Sequence, residues 1–180
     1  MAAQPLSILF DLDGTVVDSK PGILASCGAT LRALGHWPDN LDIDNLIGPP
    51  LEEALALRAK LYIATSKRTV FAEQILKHVG LIDLFVGVHG SEPSGAMGRK
   101  ADVVAHVLLR HELSADRCLM VGDRRQDMEG ARTNGVPTVG VLWGYGDRDE
   151  LESAGAMHIA ARPAELIPIV EAHGRRLGGP

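Results

Sequence analysis

Short apolar runs recur along this chain, each ending in a polar or small residue, and between them the apolar positions fall three and four apart. The runs at 6–11 (Leu6, Ile8, Leu9, Phe10), 61–65 (Leu61, Tyr62, Ile63), 84–88, 118–122 and 137–142 stay uncharged until their C-terminal ends. That is the signature of strands covered on both faces. Helical spacing fills the intervals. Residues 21–34 place Ile23, Leu24, Cys27, Leu31 and Leu34 on one face; 50–60 and 68–79 follow, the latter stopped by Gly80. Residues 100–111 turn Val103, Val104, Val107 and Leu108 inward, 124–134 stop at Asn134 and Gly135, and Pro163 opens a last helix. Strands alternating with helices predict an α/β fold, a doubly wound parallel sheet. Ligands bind such sheets beyond the C-terminal ends of the strands, so chemistry is expected on the loops that follow them.

Composition narrows the classes. A chain of 180 residues suits one domain with a small appendage. No run reaches the roughly 18 apolar residues that a membrane span needs, and Asp11 and Asp13 interrupt the apolar N-terminal stretch. Lys and Arg number 18 against 23 Asp and Glu, with no basic block to meet a phosphate backbone, so neither a membrane nor a nucleic acid is an expected partner. Cys27 and Cys118 are far apart and form no CxxC, which removes zinc and thiol redox motifs and suits a cytoplasmic location.

The segment Phe10-Asp11-Leu12-Asp13-Gly14-Thr15 ends a strand in two carboxylates and a glycine. A carboxylate there can attack phosphorus if a cation screens the repulsion, and a second nearby can protonate the leaving oxygen. Gly14 lets the backbone approach a ligand, and the loop amides can hold an anion. Asp-x-Asp-Gly also occurs in plain solvated loops, so its company matters. At another strand end, Val121-Gly122-Asp123-Arg124-Arg125-Gln126-Asp127 sets two acids four apart, able to face one hard cation such as Mg²⁺; Asp123 as a helix cap is the structural alternative. Thr65 and Ser66 end the strand at 61–65, where a hydroxyl and amides can grip phosphoryl oxygens. Lys100 opens a helix, where a cation opposes the helix dipole unless an anion sits beside it; Lys67 and Arg99 are its competitors.

Asp11-Leu12-Asp13-Gly14-Thr15, Thr65, Lys100 and Gly122-Asp123 through Asp127, in that order, resemble the four motifs of the haloacid dehalogenase superfamily of phosphohydrolases, over nearly the whole chain. Ile47-Gly48-Pro49-Pro50-Leu51-Glu52-Glu53, Ala64-Thr65-Ser66-Lys67 and Val141-Leu142-Trp143-Gly144-Tyr145-Gly146 resemble its phosphoglycolate phosphatase and 5′-nucleotidase branch, with a helical cap inserted after the first motif. The resemblance implies a Rossmann-like core and a phosphomonoesterase. Asp11 would be the nucleophile, Asp13 the acid and base, Thr65 the holder of the phosphoryl group and Lys100 its charge balance. Asp11, the carbonyl of Asp13, and Asp123 would bind Mg²⁺, with Asp127 supporting them. The implied substrate is a small phosphorylated metabolite, a nucleoside 5′-monophosphate or phosphoglycolate, acted on by a monomer or homodimer. A phosphoacceptor module, a degenerate phosphatase and a haloacid dehalogenase are the alternatives; the last has no task for Asp13, since halide leaves without a proton.

The domain reading is a core of 1–18 and 61–180 with a cap at 19–60. Only 54 positions separate Asp11 from Thr65, fewer than a full helical cap needs, and the helix at 50–60 runs into the strand at Leu61 without a turn residue. Either the cap is reduced, or the chain as represented omits part of it.

Overall fold

The computed structural model describes residues 5–18, 59–95 and 97–178. Among these, β1 (Ser7–Phe10), β2 (Lys60–Arg68), β3 (Gly87–Ser91), β4 (Cys118–Gly122), β5 (Thr138–Val141) and β6 (His158–Ala160) alternate with α1 (Thr69–His78), α2 (Lys100–Arg110), α3 (Arg125–Thr133), α4 (Arg148–Ser153) and α5 (Leu166–Gly178). The strands form one parallel sheet in the order β3-β2-β1-β4-β5-β6.

Strand alternation divides the core. Ile8 and Phe10 of β1 and Leu61 and Ile63 of β2 face Ala72 and Leu76 of α1 and Leu166 and Val170 of α5. Leu9, Tyr62 and Met120 face the opposite layer, formed by Val103, Val104 and Val107 of α2 and Ala131 of α3. With helices on both sides, every residue of β1 and β4 is buried, which is why those strands read as unbroken apolar runs. Chain order runs outward from β1 in both directions, so β1 and β4 flank the point where the sheet reverses its winding. The loops after these two strands carry Asp11 and Asp123.

Two elements differ from expectation. The strand expected at 84–88 lies at Gly87–Ser91. Leu84 and Phe85 instead close a 3₁₀ turn and send the Phe85 ring edge-on against Phe10, with centroids 6.5 Å apart, so apolar content there marks a core plug and not the strand. Lys60 opens β2, so a helix spanning 50–60 cannot include it. The remainder of that helix, the helix at 21–34, the cap at 19–60 and the junction before Leu61 lie, apart from residues 59 and 60, outside the described residues. The short α4 and β6 had no expected counterpart. Among the described residues no helix is long and apolar enough to cross a membrane.

The edge strand β3 carries a histidine cluster. His89 Nε2 lies 2.9 Å from His111 Nε2, and the His106 ring is 5.2 Å from that of His89. Burial, with the charges of His111, His106 and Arg110, lowers the His89 pKa from 6.5 to about 4. Between those values the unfolded chain holds a proton that the folded chain lacks, so stability rises with pH and is lost on acidification through this window. The urea midpoint is therefore expected to fall between about pH 7 and about pH 4.5, and His89→Gln to flatten that slope. An unchanged slope in the variant would remove His89 as the cause.

Candidate active site

Beyond Phe10 the chain leaves the sheet at once. The Asp11 N–H donates to the Val121 carbonyl at 2.9 Å, tying the end of β1 to β4. The Leu12 carbonyl then accepts the N–H groups of Val16 and Val17, both at 3.0 Å, and the turn is closed by Gly14 at φ +86, whose N–H donates to the Val17 carbonyl. This loop places the two aspartates apart. Asp11 points inward beside α2, while Asp13 sits at the rim with its Oδ2 3.2 Å from Lys67 Nζ.

Lys100, the first residue of α2, is 4 % exposed. Its ammonium donates to Asp11 Oδ1 at 2.7 Å and to the Ala64 carbonyl at 2.8 Å, and lies 2.8 Å from Asp127 Oδ1. Burial alone would lower its pKa; the adjacent charges of Asp11 and Asp127 overcome that and hold it above the ordinary lysine range. The unfavourable place of a lysine at a helix N-terminus is thereby explained. Arg99 turns outward to Asp102 at 2.8 Å and is no competitor.

Asp123 follows β4 and is fully buried. It does not cap α3; Asp127, one turn in, reaches back with Oδ2 to the Arg124 N–H at 3.0 Å. Asp123 Oδ1 accepts the Thr15 hydroxyl at 3.0 Å and Oδ2 accepts the Tyr145 N–H at 2.7 Å. Burial raises its pKa against the pull of the Tyr145 amide, and Asp11 adds to the rise. Burial likewise raises Asp127, against the pull of Lys100.

Asp11, Asp123 and Asp127 each offer a carboxylate oxygen, and the three lie within 4.8 Å of one another, all buried. Lys100 is the one ammonium paired with this group among the described residues, so three buried acids face one cation. A hard divalent ion would relieve the excess, and an all-oxygen donor set fits Mg²⁺. The residues present fit the expected metal.

The loop after β5 supports this pocket through its glycines. A Cβ on Gly144 would overlap the Asp123 side chain, and one on Gly146 would meet the Asp123 carbonyl. The Trp143 indole N–H donates to the Thr15 carbonyl at 3.1 Å and pins the first loop, while the Tyr145 hydroxyl donates to Asp18 at 3.0 Å. Gly144→Ala is expected to displace Asp123, so that added Mg²⁺ raises the Tm of the wild type and much less that of the variant. Equal shifts would separate Asp123 from metal binding.

Thr65 is buried at the end of the inner part of β2, and its hydroxyl accepts the Lys67 N–H at 3.2 Å. Ser66 is exposed, with its carbonyl bonded to the Ser91 hydroxyl. Asp11, Lys100, Asp123 and Asp127 thus come together directly, and Asp13, Gly14 and Thr65 border them. The role of Thr15 and the Tyr145 amide in holding Asp123 was not legible, since they reach it from two other loops, Thr15 from 108 positions away and Tyr145 from 22.

The family model for haloacid dehalogenase-like hydrolases matches residues 8–58 and 51–141. A 5′-nucleotidase of Pseudomonas aeruginosa is 34% identical over 212 positions, covering 93% of this chain and 96% of that protein. Since 93% of the chain is about 167 residues, about 45 positions of that alignment have no counterpart here, and the two stretches of the family match overlap at 51–58, just ahead of the junction before Leu61. The tyrosine-protein kinase PtkA of Mycobacterium tuberculosis (strain H37Rv) is 30% identical over 95% of this chain and 73% of its own length. Among solved structures, a predicted phosphatase from Clostridium acetobutylicum is similar at 28% identity with a TM-score of 0.78, covering 94% of this chain and all of that one. With its acidic pocket at the reversal point of the sheet and a family match across most of its length, this chain belongs to the haloacid dehalogenase-like hydrolases, as a phosphatase-type member of that family.

Proposed function

We propose that the chain is a Mg²⁺-dependent phosphomonoesterase that works through an aspartyl-phosphate on Asp11. The observation that carries this reading is the convergence of the Asp11 carboxylate with the Lys100 ammonium, 2.7 Å apart, beside Asp123 and Asp127. Asp11, the Asp13 carbonyl and Asp123 would hold the metal with help from Asp127. When bound, Mg²⁺ supplies positive charge that screens the nucleophile from the phosphate and offsets charge on the transferring group.

In the first step an Asp11 oxygen forms a bond to phosphorus, the bond to the ester oxygen breaks, and Asp13 gives that oxygen its proton. In the second, Asp13 takes a proton from water, the water oxygen bonds to phosphorus, and phosphate leaves with the Asp11 carboxylate restored. Gly14, Thr65 and Ser66 line the place of the phosphoryl oxygens, and Lys100 balances their charge.

We take residues 1–18 and 61–180 as the catalytic core and 19–60 as its shortened cap segment, either reduced or incompletely represented. A truly reduced cap would exclude water poorly from the phosphoryl group, and weak, broad activity over small phosphate esters is the outcome expected of that case alone. Nucleoside 5′-monophosphates and phosphoglycolate lead the candidates, supported by the names of the relatives. We place the enzyme in the cytoplasm as a monomer or homodimer, with no nucleic-acid or membrane partner.

Steady-state phosphate release from a panel of phosphomonoesters tests the reading. Chelation is expected to stop release and Mg²⁺ to restore it, whereas Ca²⁺, with looser and longer coordination, restores little. Release unaffected by chelation would overturn the metal assignment. A second reading, transfer of the phosphoryl group to a protein acceptor, draws on the kinship to PtkA. It requires less phosphate released than ester consumed.

A further inference from the structure

Lys67 has no part in the chemistry just proposed, yet three separate features fix it beside the pocket. Ala64 of β2 pairs with His89 of β3, and the next pair is Arg68 with Ser91, so Thr65, Ser66 and Lys67 stand opposite Gly90 alone. Such a bulge re-aims side chains, and bulges cluster next to active sites. Gly90 makes it buildable: a Cβ there would run into the Lys67 carbonyl. The Lys67 N–H is then held by the Thr65 hydroxyl at 3.2 Å. The result is an ammonium 3.2 Å from Asp13 Oδ2, with side chains 21% and 23% exposed.

The pairing is incomplete. Asp13 Oδ1 is buried and, among the described residues, has no hydrogen-bond partner. Lys100 is committed inward, hydrogen-bonded to Asp11 and the Ala64 carbonyl and ion-paired with Asp127. Arg99, Arg124 and Arg125 are committed to Asp102, Glu150 and Glu129. Of these cations, Lys67 alone sits at the rim on a half-open ion pair. To act as the acid of the first step Asp13 must carry the proton it gives up, so its ion pair with Lys67 is broken at that stage and the ammonium is left facing the incoming ester.

We infer that Lys67 is a substrate-binding residue whose ammonium passes from Asp13 to an oxyanion of the bound ester. This rests on the phosphomonoesterase reading. The oxyanion has two sources: the transferring phosphoryl group, or a carboxylate next to the ester oxygen, as in phosphoglycolate. Either way the exchange leaves Asp13 free to address the leaving oxygen.

Wild type, Lys67→Met and Lys67→Arg are compared with Mg²⁺ on phosphoglycolate, a nucleoside 5′-monophosphate and ethyl phosphate. Binding of inorganic phosphate and of phosphoglycolate is measured by calorimetry in the Asp11→Asn background, where nothing turns over. Loss of one charge-assisted contact is expected to raise KM about tenfold or more in Lys67→Met, with kcat changed much less and Lys67→Arg restoring most of the loss. A phosphoryl contact raises KM for all three esters and weakens phosphate binding. A carboxylate contact affects phosphoglycolate alone. Unchanged KM on every ester with unchanged ligand affinity would overturn the inference, whatever happens to kcat. Should the wild type hydrolyse no ester, the phosphomonoesterase reading fails, while the calorimetry still decides the role of Lys67.

Discussion

Asp11→Asn is expected to lower turnover by on the order of a thousandfold or more while the fold survives. The amide has the size and shape of the carboxylate but cannot attack phosphorus. Lys100 keeps Asp127 at 2.8 Å and the Ala64 carbonyl at 2.8 Å, so no buried cation is stranded. One of three crowded buried carboxylates also disappears, which lowers their mutual repulsion. Far-UV circular dichroism and the Tm should therefore stay close to the wild type. A variant retaining more than a few per cent of turnover would remove Asp11 as nucleophile.

Lys100→Met should damage both function and stability. Methionine keeps the length of the stem but leaves Asp11 and Asp127 buried without their cation, and breaking a buried ion pair from one side costs about 3–5 kcal/mol. Turnover is expected to fall at least on the order of a hundredfold, because charge on the phosphoryl group loses its balance. Mg²⁺ should recover part of the lost stability by supplying positive charge to the same acids, and urea unfolding with and without the ion measures this. A Lys100→Met protein as stable as the wild type would mean that the acids do not depend on the lysine.

The sheet was legible where strands are covered on both faces, as at β1 and β4, because burial leaves an unbroken apolar run. It was misplaced at β3, where the edge strand Gly-Val-His-Gly-Ser carries little apolar surface and the neighbouring Leu84 and Phe85 serve the core. The nine residues of β2 include the bulge at Thr65–Lys67, which no periodicity announces. Lys100 was readable because a lysine at a helix start is locally unfavourable and so asks for an anion. The holding of Asp123 by Thr15 and Tyr145 was not, since it depends on how distant loops meet. The glycines at 144 and 146 were its only trace in the sequence, and they signal close approach without saying to what.

The central claim is a covalent phosphoryl group on Asp11, and trapping it is the most direct test. In Asp13→Asn the base for the second step is missing, so with Mg²⁺ and an ester of a good leaving group, such as nitrophenyl phosphate, the first step should outrun the second. Acid quench, borohydride reduction and peptide mass spectrometry would then find homoserine at position 11, the product of a reduced aspartyl-phosphate. Aspartate unchanged at position 11, with the ester still cleaved, would contradict the account.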